Sequence, residues 1–374
     1  MHLYILFQLK SLINFFSNIY IVFLLFIFGS YDLTSESFIL LSLINIFTYG
    51  FSANIRNIYL GSKNFRNLNK IILLRIYIAI IFGPFIILLS YVFLNKSFIL
   101  FHSSLIFLTL TNWILELFLS DHEKKNLFKK YYFINVLFFL IFSLFLVYLN
   151  NILLLSILIF CTSIFNLIIF RNYFRNILEQ NLIFKNFNIN LGVFSTLFKT
   201  ISNFFWRYFL IKFVGKSDAS FLFIGFMFGS FYGTLFDVSY GALFLKKIKK
   251  KNLLLFFLYF IYAILVFLII YFAHILSLFE IHQFNILLNT VIFSLVGGLF
   301  LIITLQDRQS LFDKSKSIVL CYKADILIGS INFLIIPIIY YANKQLLVTS
   351  FFFSSIISYF IYKFYLYYAH NKKI

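Results

Sequence analysis

Two cations stand inside the apolar run GVFSTLFKTISNFFWRYFLIKF at 192–213: Lys199 and Arg207. The chemistry open to such a pair is anion binding, because lysine offers a point charge and arginine a planar fork that matches phosphate or carboxylate. In a helix each residue turns by about 100°. Relative to Lys199, Gly192 then lies about 20° round, Asn203 about 40°, Thr196 about 60° and Arg207 about 80°, whereas Phe194, Ile201, Phe204, Phe205 and Tyr208 fall on the far side. An ionisable residue inside a membrane-spanning helix costs about 2.5 kcal/mol or more, so it faces the bundle interior or a wet cavity. Thr196, Lys199, Asn203 and Arg207 are therefore expected to bind substrate. Arg207, nearer the end of the run, has the alternative of snorkelling to headgroups beside Lys212.

Two other stretches repeat the pattern. Asn45, Tyr49, Ser52 and Arg56 follow at steps of four, three and four and share one helix face. Arg56 either joins the cationic set or anchors the cytoplasmic end of its helix. Gly225, Gly229, Gly233, Asp237 and Gly241 recur every four residues. The three leading glycines let another backbone approach closely and are assigned to helix packing. Asp237 is either a charge partner for Lys199 or Arg56, or a group that couples transport to a proton or sodium gradient. Glu116, Lys323 and Asp325 read as residues of the cytoplasmic rim, and Asp32, Glu36, Asp218 and Glu280 as residues of short outer loops. Cys161 and Cys321 lie in apolar runs and indicate neither a disulfide framework nor a zinc site, so no cofactor is expected.

The elements that must position these residues follow from composition. Of 374 residues, 62% are hydrophobic and 11% charged, with a mean hydropathy of +0.97, against roughly 25% charged in soluble domains. Apolar runs long enough to cross about 30 Å of hydrocarbon recur along the whole chain without the two-residue alternation of barrel strands. The fold class is an all-α polytopic membrane protein. Breaks at polar clusters place spans near 12–30, 37–59, 71–93, 97–119, 131–149, 151–170, 189–213, 219–243, 253–273, 284–305, 318–341 and 346–368, with residues 131–170 read either as two spans divided at Asn150-Asn151 or as one long tilted segment. Pro84 and Pro337 fall inside spans and predict kinks. The 58 phenylalanines accompany an excess of Ile, Asn, Lys and Tyr that looks like AT-rich codon usage, so aromatic stripes carry no ligand signal.

Counting Lys and Arg on alternate sides of these spans gives 24 against 4, which places both termini in the cytoplasm. The formal charge of +19 is thereby explained by orientation, and nucleic acid is not an expected partner. The first apolar segment continues as a span and reads as no secretory signal. Loops are short on both faces, which leaves no room for a soluble catalytic domain and argues against an enzyme. Tyr49-Gly50 and Tyr240-Gly241 precede basic loops in spans two and eight, while Asp121 before LFKK and Asp307 before LFDK close spans four and ten. These matches suggest a parallel repeat: a six-helix lobe over 1–170, a cytoplasmic linker over 171–187 and a second lobe over 188–374.

Together with the basic loop in YGFSANIRNIYLGSKNFRN at 49–67 and the interior cations of spans two and seven, this architecture resembles the polysaccharide flippases of the multidrug/oligosaccharidyl-lipid/polysaccharide exporter superfamily. The resemblance implies two lobes forming a V, with spans one, two, seven and eight lining a central cavity in a bacterial inner membrane. It also implies a substrate made of an oligosaccharide repeat unit on polyprenyl diphosphate, moved across the membrane for surface polysaccharide such as O-antigen. Membrane lipids and other polysaccharide-assembly proteins are the implied partners. A drug/cation antiporter of the same superfamily needs an acidic lumen, and here the interior is net basic. A membrane polysaccharide polymerase or glycosyltransferase needs a large outer loop or an outer carboxylate cluster, and the sequence offers only short loops.

Overall fold

The computed structural model describes residues 17–52, 68–94, 98–124, 130–178, 191–235, 252–276, 279–313 and 318–371. Among these the regular secondary structure is helical, and the chain divides into two units, Met1–Asn190 and Leu191–Ile374. The first holds α1 (Ser17–Ile27), α2 (Tyr31–Phe47), α3 (Tyr49–Ser52), α4 (Leu68–Phe93), α5 (Ile99–Lys124), α6 (Lys130–Tyr148), α7 (Ile152–Ile169) and α8 (Arg171–Leu178). The second holds α9 (Leu191–Val214), α10 (Lys216–Leu235), α11 (Asn252–Ile275), α12 (Ile281–Asp313), α13 (Ile318–Ala342), a 3₁₀ turn (Lys344–Thr349) and α14 (Ser350–Asn371). Among the described residues, seven helices are long and apolar enough to cross a membrane, and the chain is an all-helical polytopic membrane protein. The seven do not include α9 and α10, whose glycines and Ser, Thr and Asn side chains dilute their apolar character.

Local chemistry sets the breaks. Asn150 adopts the left-handed region at φ 51°, and Asn151 caps α7 by accepting a 3.0 Å hydrogen bond from the Leu154 amide. Left-handed backbone is costly for residues with a larger side chain, and asparagine both tolerates it and makes a strong N-cap. Residues 131–170 are therefore two helices, α6 and α7, joined by a tight turn. An Asn135 to Asn166 side-chain hydrogen bond of 2.9 Å lies at the other end of this antiparallel hairpin. Asn151→Ala should lower the thermal stability of the hairpin by about 1 kcal/mol, the value of an N-cap, and Asn150→Val should cost a similar amount through backbone strain. Thermal unfolding of each variant in detergent checks both.

Several boundaries differ from the sequence reading, among them the end of α12, which runs to Asp313 where 305 was expected and so takes in Arg308. α2 begins at Tyr31, six residues before the expected 37, because Gly29 (φ 82°) turns the chain and Asp32 then sits in the first helical turn, where a carboxylate favours the dipole. Glu36 is consequently a buried residue of α2 and not part of an outer loop. The second helix also pauses at Thr48, whose amide and hydroxyl both return to the Ile44 carbonyl, at 3.0 and 3.1 Å. α4 and α13 run on through Pro84 and Pro337.

The same packing scheme governs each unit. In the first, α5 is the central helix and packs against α2, α4 and α7; in the second, α12 occupies that place and packs against α10, α11 and α14. Contacts between helices an even number of spans apart are parallel. Phe107 meets Phe160 and Phe118 meets Phe170 between α5 and α7, and Phe205 meets Phe333 and Phe213 meets Tyr340 between α9 and α13. Sequence neighbours are antiparallel: Gly83 faces Leu110 and Arg75 reaches Glu116 between α4 and α5, while Tyr362 reaches Asp325 and Ser354 reaches Asn332 between α13 and α14. Up-and-down alternation requires this pattern. The outer helices α4, α7 and α11 expose Ile80, Ile81, Leu88, Leu153, Phe260 and Leu265, a surface suited to lipid tails.

Candidate functional site: a charge network inside the second unit

Gly192 and Lys199 turn one side of α9 onto α13, where a Cβ on Gly192 would collide with the Tyr322 ring at 2.7 Å and Gly329 of α13 lies against Phe198 and Ser202. Small residues at these crossings bring the two parallel helices close, and the approach places Lys199 Nζ 3.6 Å from Asp325 Oδ1. Asp325 is 1% exposed and is the hub of the network. Arg308 of α12 binds it with both arms, Nη2 to Oδ2 at 3.1 Å and Nε to Oδ1 at 3.4 Å. Tyr362 of α14 donates its hydroxyl to Oδ1 at 2.5 Å. A second pair, Lys363 with Asp307 at 3.3 Å, ties α14 to α12 beside the hub.

All four helices contribute at one level. Lys199 and Asp325 lie about two turns from the starts of α9 and α13, while Arg308 and Tyr362 lie somewhat over one and two turns before the ends of α12 and α14. The hub is thus roughly 10 Å inside the helix ends that adjoin the basic loops. Asp325 is not a rim residue, as its position near Lys323 suggested; it is buried because its carboxylate has two cations and a phenol around it, which compensates desolvation. Lys323, by contrast, is exposed.

The charges do not balance. Among the described residues of this cluster, Lys199 and Arg308 contribute two positive charges and Asp325 one negative, which leaves a surplus of one. The surplus resides on Lys199. Arg308 is 8% exposed and engaged twice, whereas the Lys199 side chain is 36% exposed and beyond hydrogen-bond distance of the carboxylate. A part-exposed cation held over a buried, already satisfied carboxylate is able to receive a second anion.

The other expected site residues are distributed differently. Thr196 donates its hydroxyl to the Gly192 and Val193 carbonyls of its own helix, both at 3.0 Å. Asn203 is exposed, and Arg207 is half-buried on the same helix beyond it. Arg56 and Asp237 lie outside the described residues. Gly225, Gly229 and Gly233 face α12: a methyl at Gly225 would meet Thr290 at 2.5 Å, one at Gly229 would overlap the Ser294 carbonyl, and one at Gly233 would meet Leu301 at 2.7 Å. The Ser294 hydroxyl donates to the Gly225 carbonyl across this seam at 2.6 Å.

The first unit has polar side-chain contacts of its own. Arg75, one of the 24 cations counted on the basic side of the spans, is 2% exposed and binds Glu116 at 2.9 Å and the Trp113 carbonyl at 2.5 Å, with its guanidinium 4.8 Å from the Trp113 ring centre. Its contacts explain its place: a part-exposed carboxylate and an aromatic face compensate the buried guanidinium. Glu36 Oε2 and His102 Nε2 approach to 3.4 Å between α2 and α5.

No protein-family model, curated protein or solved structure matches this chain. Among the described residues no group of His, Cys, Asp and Glu is placed to hold a metal ion.

Proposed function

We propose that this protein is a transporter that flips a polyprenyl-diphosphate-linked oligosaccharide across a bacterial inner membrane, for surface polysaccharide assembly. The observation that carries the reading is the surplus, part-exposed positive charge of Lys199 inside an apolar helical unit. A helix bundle keeps an ionisable group at such depth for a function more readily than for stability. The substrate headgroup is anionic, its lipid tail remains in the bilayer, and its passage needs a cation inside the protein but no bond-making chemistry. Arg207 and Asn203, further along α9, extend the polar path away from the hub. On the orientation given by the basic loops, Lys199 lies in the cytoplasmic half of the membrane, the side on which such a substrate is loaded. Twelve spans in two lobes around a central cavity belong to this reading, as does a coupling role for Asp237.

In a host that depends on this chain for its surface glycan, Lys199→Ala combined with Arg207→Ala should abolish export while the protein remains at wild-type abundance in the membrane. Undiminished surface glycan in the double variant would show that the two cations do not form the site.

A further inference from the structure

Asp325 Oδ1 is approached by three donors: the Tyr362 hydroxyl at 2.5 Å, Arg308 Nε at 3.4 Å and Lys199 Nζ at 3.6 Å. The first two belong to buried side chains and hold the carboxylate from behind. Lys199 is the loosest of the three and alone is substantially exposed. Its departure leaves Asp325 still neutralised by Arg308 and hydrogen-bonded by Tyr362, so the carboxylate stays satisfied whether or not Lys199 is present.

We propose that Asp325 is a displaceable counter-ion of Lys199: the ligand anion and the Asp325 carboxylate compete for one ammonium group, and Tyr362 sets how strongly Asp325 competes. This inference rests on the reading that Lys199 meets the substrate anion. It has a consequence for selectivity. A ligand with a single carboxylate offers Lys199 no more than Asp325 already does, and the exchange gains little. A diphosphate brings more negative charge and more acceptor oxygens to the same ammonium and displaces Asp325. Asp325 is therefore a positioning and specificity-determining residue that rejects mono-anions, acidic sugars among them, at Lys199. Removing the Tyr362 hydroxyl frees a lone pair on Oδ1, which draws Lys199 inward and makes it harder for a ligand to take.

The test uses the full chain in lipid nanodiscs, with inorganic diphosphate and glucuronate as probes. The wild-type protein should bind diphosphate at least about tenfold more tightly than glucuronate, and Lys199→Gln should lose most diphosphate binding. Tyr362→Phe should weaken diphosphate binding by about three- to tenfold, a change that a merely structural role for the tyrosine does not produce in the folded fraction. Asp325→Asn should bring the two probes to within a few-fold of each other by removing the competitor. Where Asp325→Asn fails to fold, Tyr362→Phe decides alone. Unchanged or tighter diphosphate binding in Tyr362→Phe, with Lys199→Gln impaired, overturns the counter-ion role and leaves the transport reading standing. Undiminished binding in Lys199→Gln overturns both.

Discussion

Asp325→Ala should destabilise the second unit by about 3–5 kcal/mol, the loss typical when one partner of a buried ion pair is removed. Arg308 is buried and binds Asp325 at 3.1 Å; without that carboxylate its guanidinium loses a charge that compensates its desolvation. Tyr362, fully buried, loses its acceptor at the same time. Lys199→Ala should be far milder, because the part-exposed ammonium leaves a carboxylate that Arg308 and Tyr362 still satisfy. Joint replacement by apolar residues, Arg308→Met with Asp325→Leu, should recover much of the stability lost in Asp325→Ala, since a buried ion pair is often no more stabilising than well-packed hydrocarbon. Thermal unfolding in detergent, with the folded fraction read by size-exclusion chromatography, orders the three variants. A double variant as unstable as Asp325→Ala would mean that the hub is held by something other than charge compensation.

The second large effect is expected at Gly229. A Cβ there overlaps the backbone carbonyl of Ser294, and Gly298 in turn sits against the Gly229 carbonyl, so α10 and α12 touch backbone to backbone. Main chain cannot rotate aside, and Gly229→Ala must push the helices apart at a cost of about 1–3 kcal/mol, with Gly229→Leu worse. Gly225→Ala should cost less, because its nearest neighbour is the Thr290 side chain, at 2.5 Å, which has rotamers available. Unfolding temperatures of the three variants test the ranking, and equal losses at Gly225 and Gly229 would contradict a backbone-limited seam.

Much of this was legible in the residues. The apolar runs, the glycine period of α10 and the asparagine pair at 150–151 each carry a local rule, and local rules survive in the fold. The charge network was not, because it is a property of neighbours. Asp325 stands two residues from Lys323 near the start of its run, and sequence spacing alone made both look like rim residues. In the structure one is exposed and the other is enclosed by Arg308 from α12, Tyr362 from α14 and Lys199 from α9. Arg75 and Arg308 are likewise placed by partners on neighbouring helices, Glu116 and Asp325. A signal was present nonetheless: the depth rule that singles out Lys199 applies equally to a carboxylate two turns inside the run 318–341. Glu36 reads as a loop residue for a different reason: the start of α2 is set by Gly29 in the left-handed region, a conformation that residue type permits but does not dictate. The polar stripe on α9 also divides in the fold: Lys199 turns to α13, the Thr196 hydroxyl donates to its own backbone, and Asn203 is exposed.

The most direct measurement is the flipping rate of a fluorescent polyprenyl-diphosphate oligosaccharide in proteoliposomes holding the full chain. Wild-type protein should move the lipid well above the protein-free rate, and Lys199→Gln, reconstituted to the same level, should be slower by at least about tenfold, the loss of roughly one charge-assisted contact to a phosphate. Equal rates for the two proteins, or a wild-type rate no greater than that of empty liposomes, would contradict anion binding at Lys199 as the basis of transport.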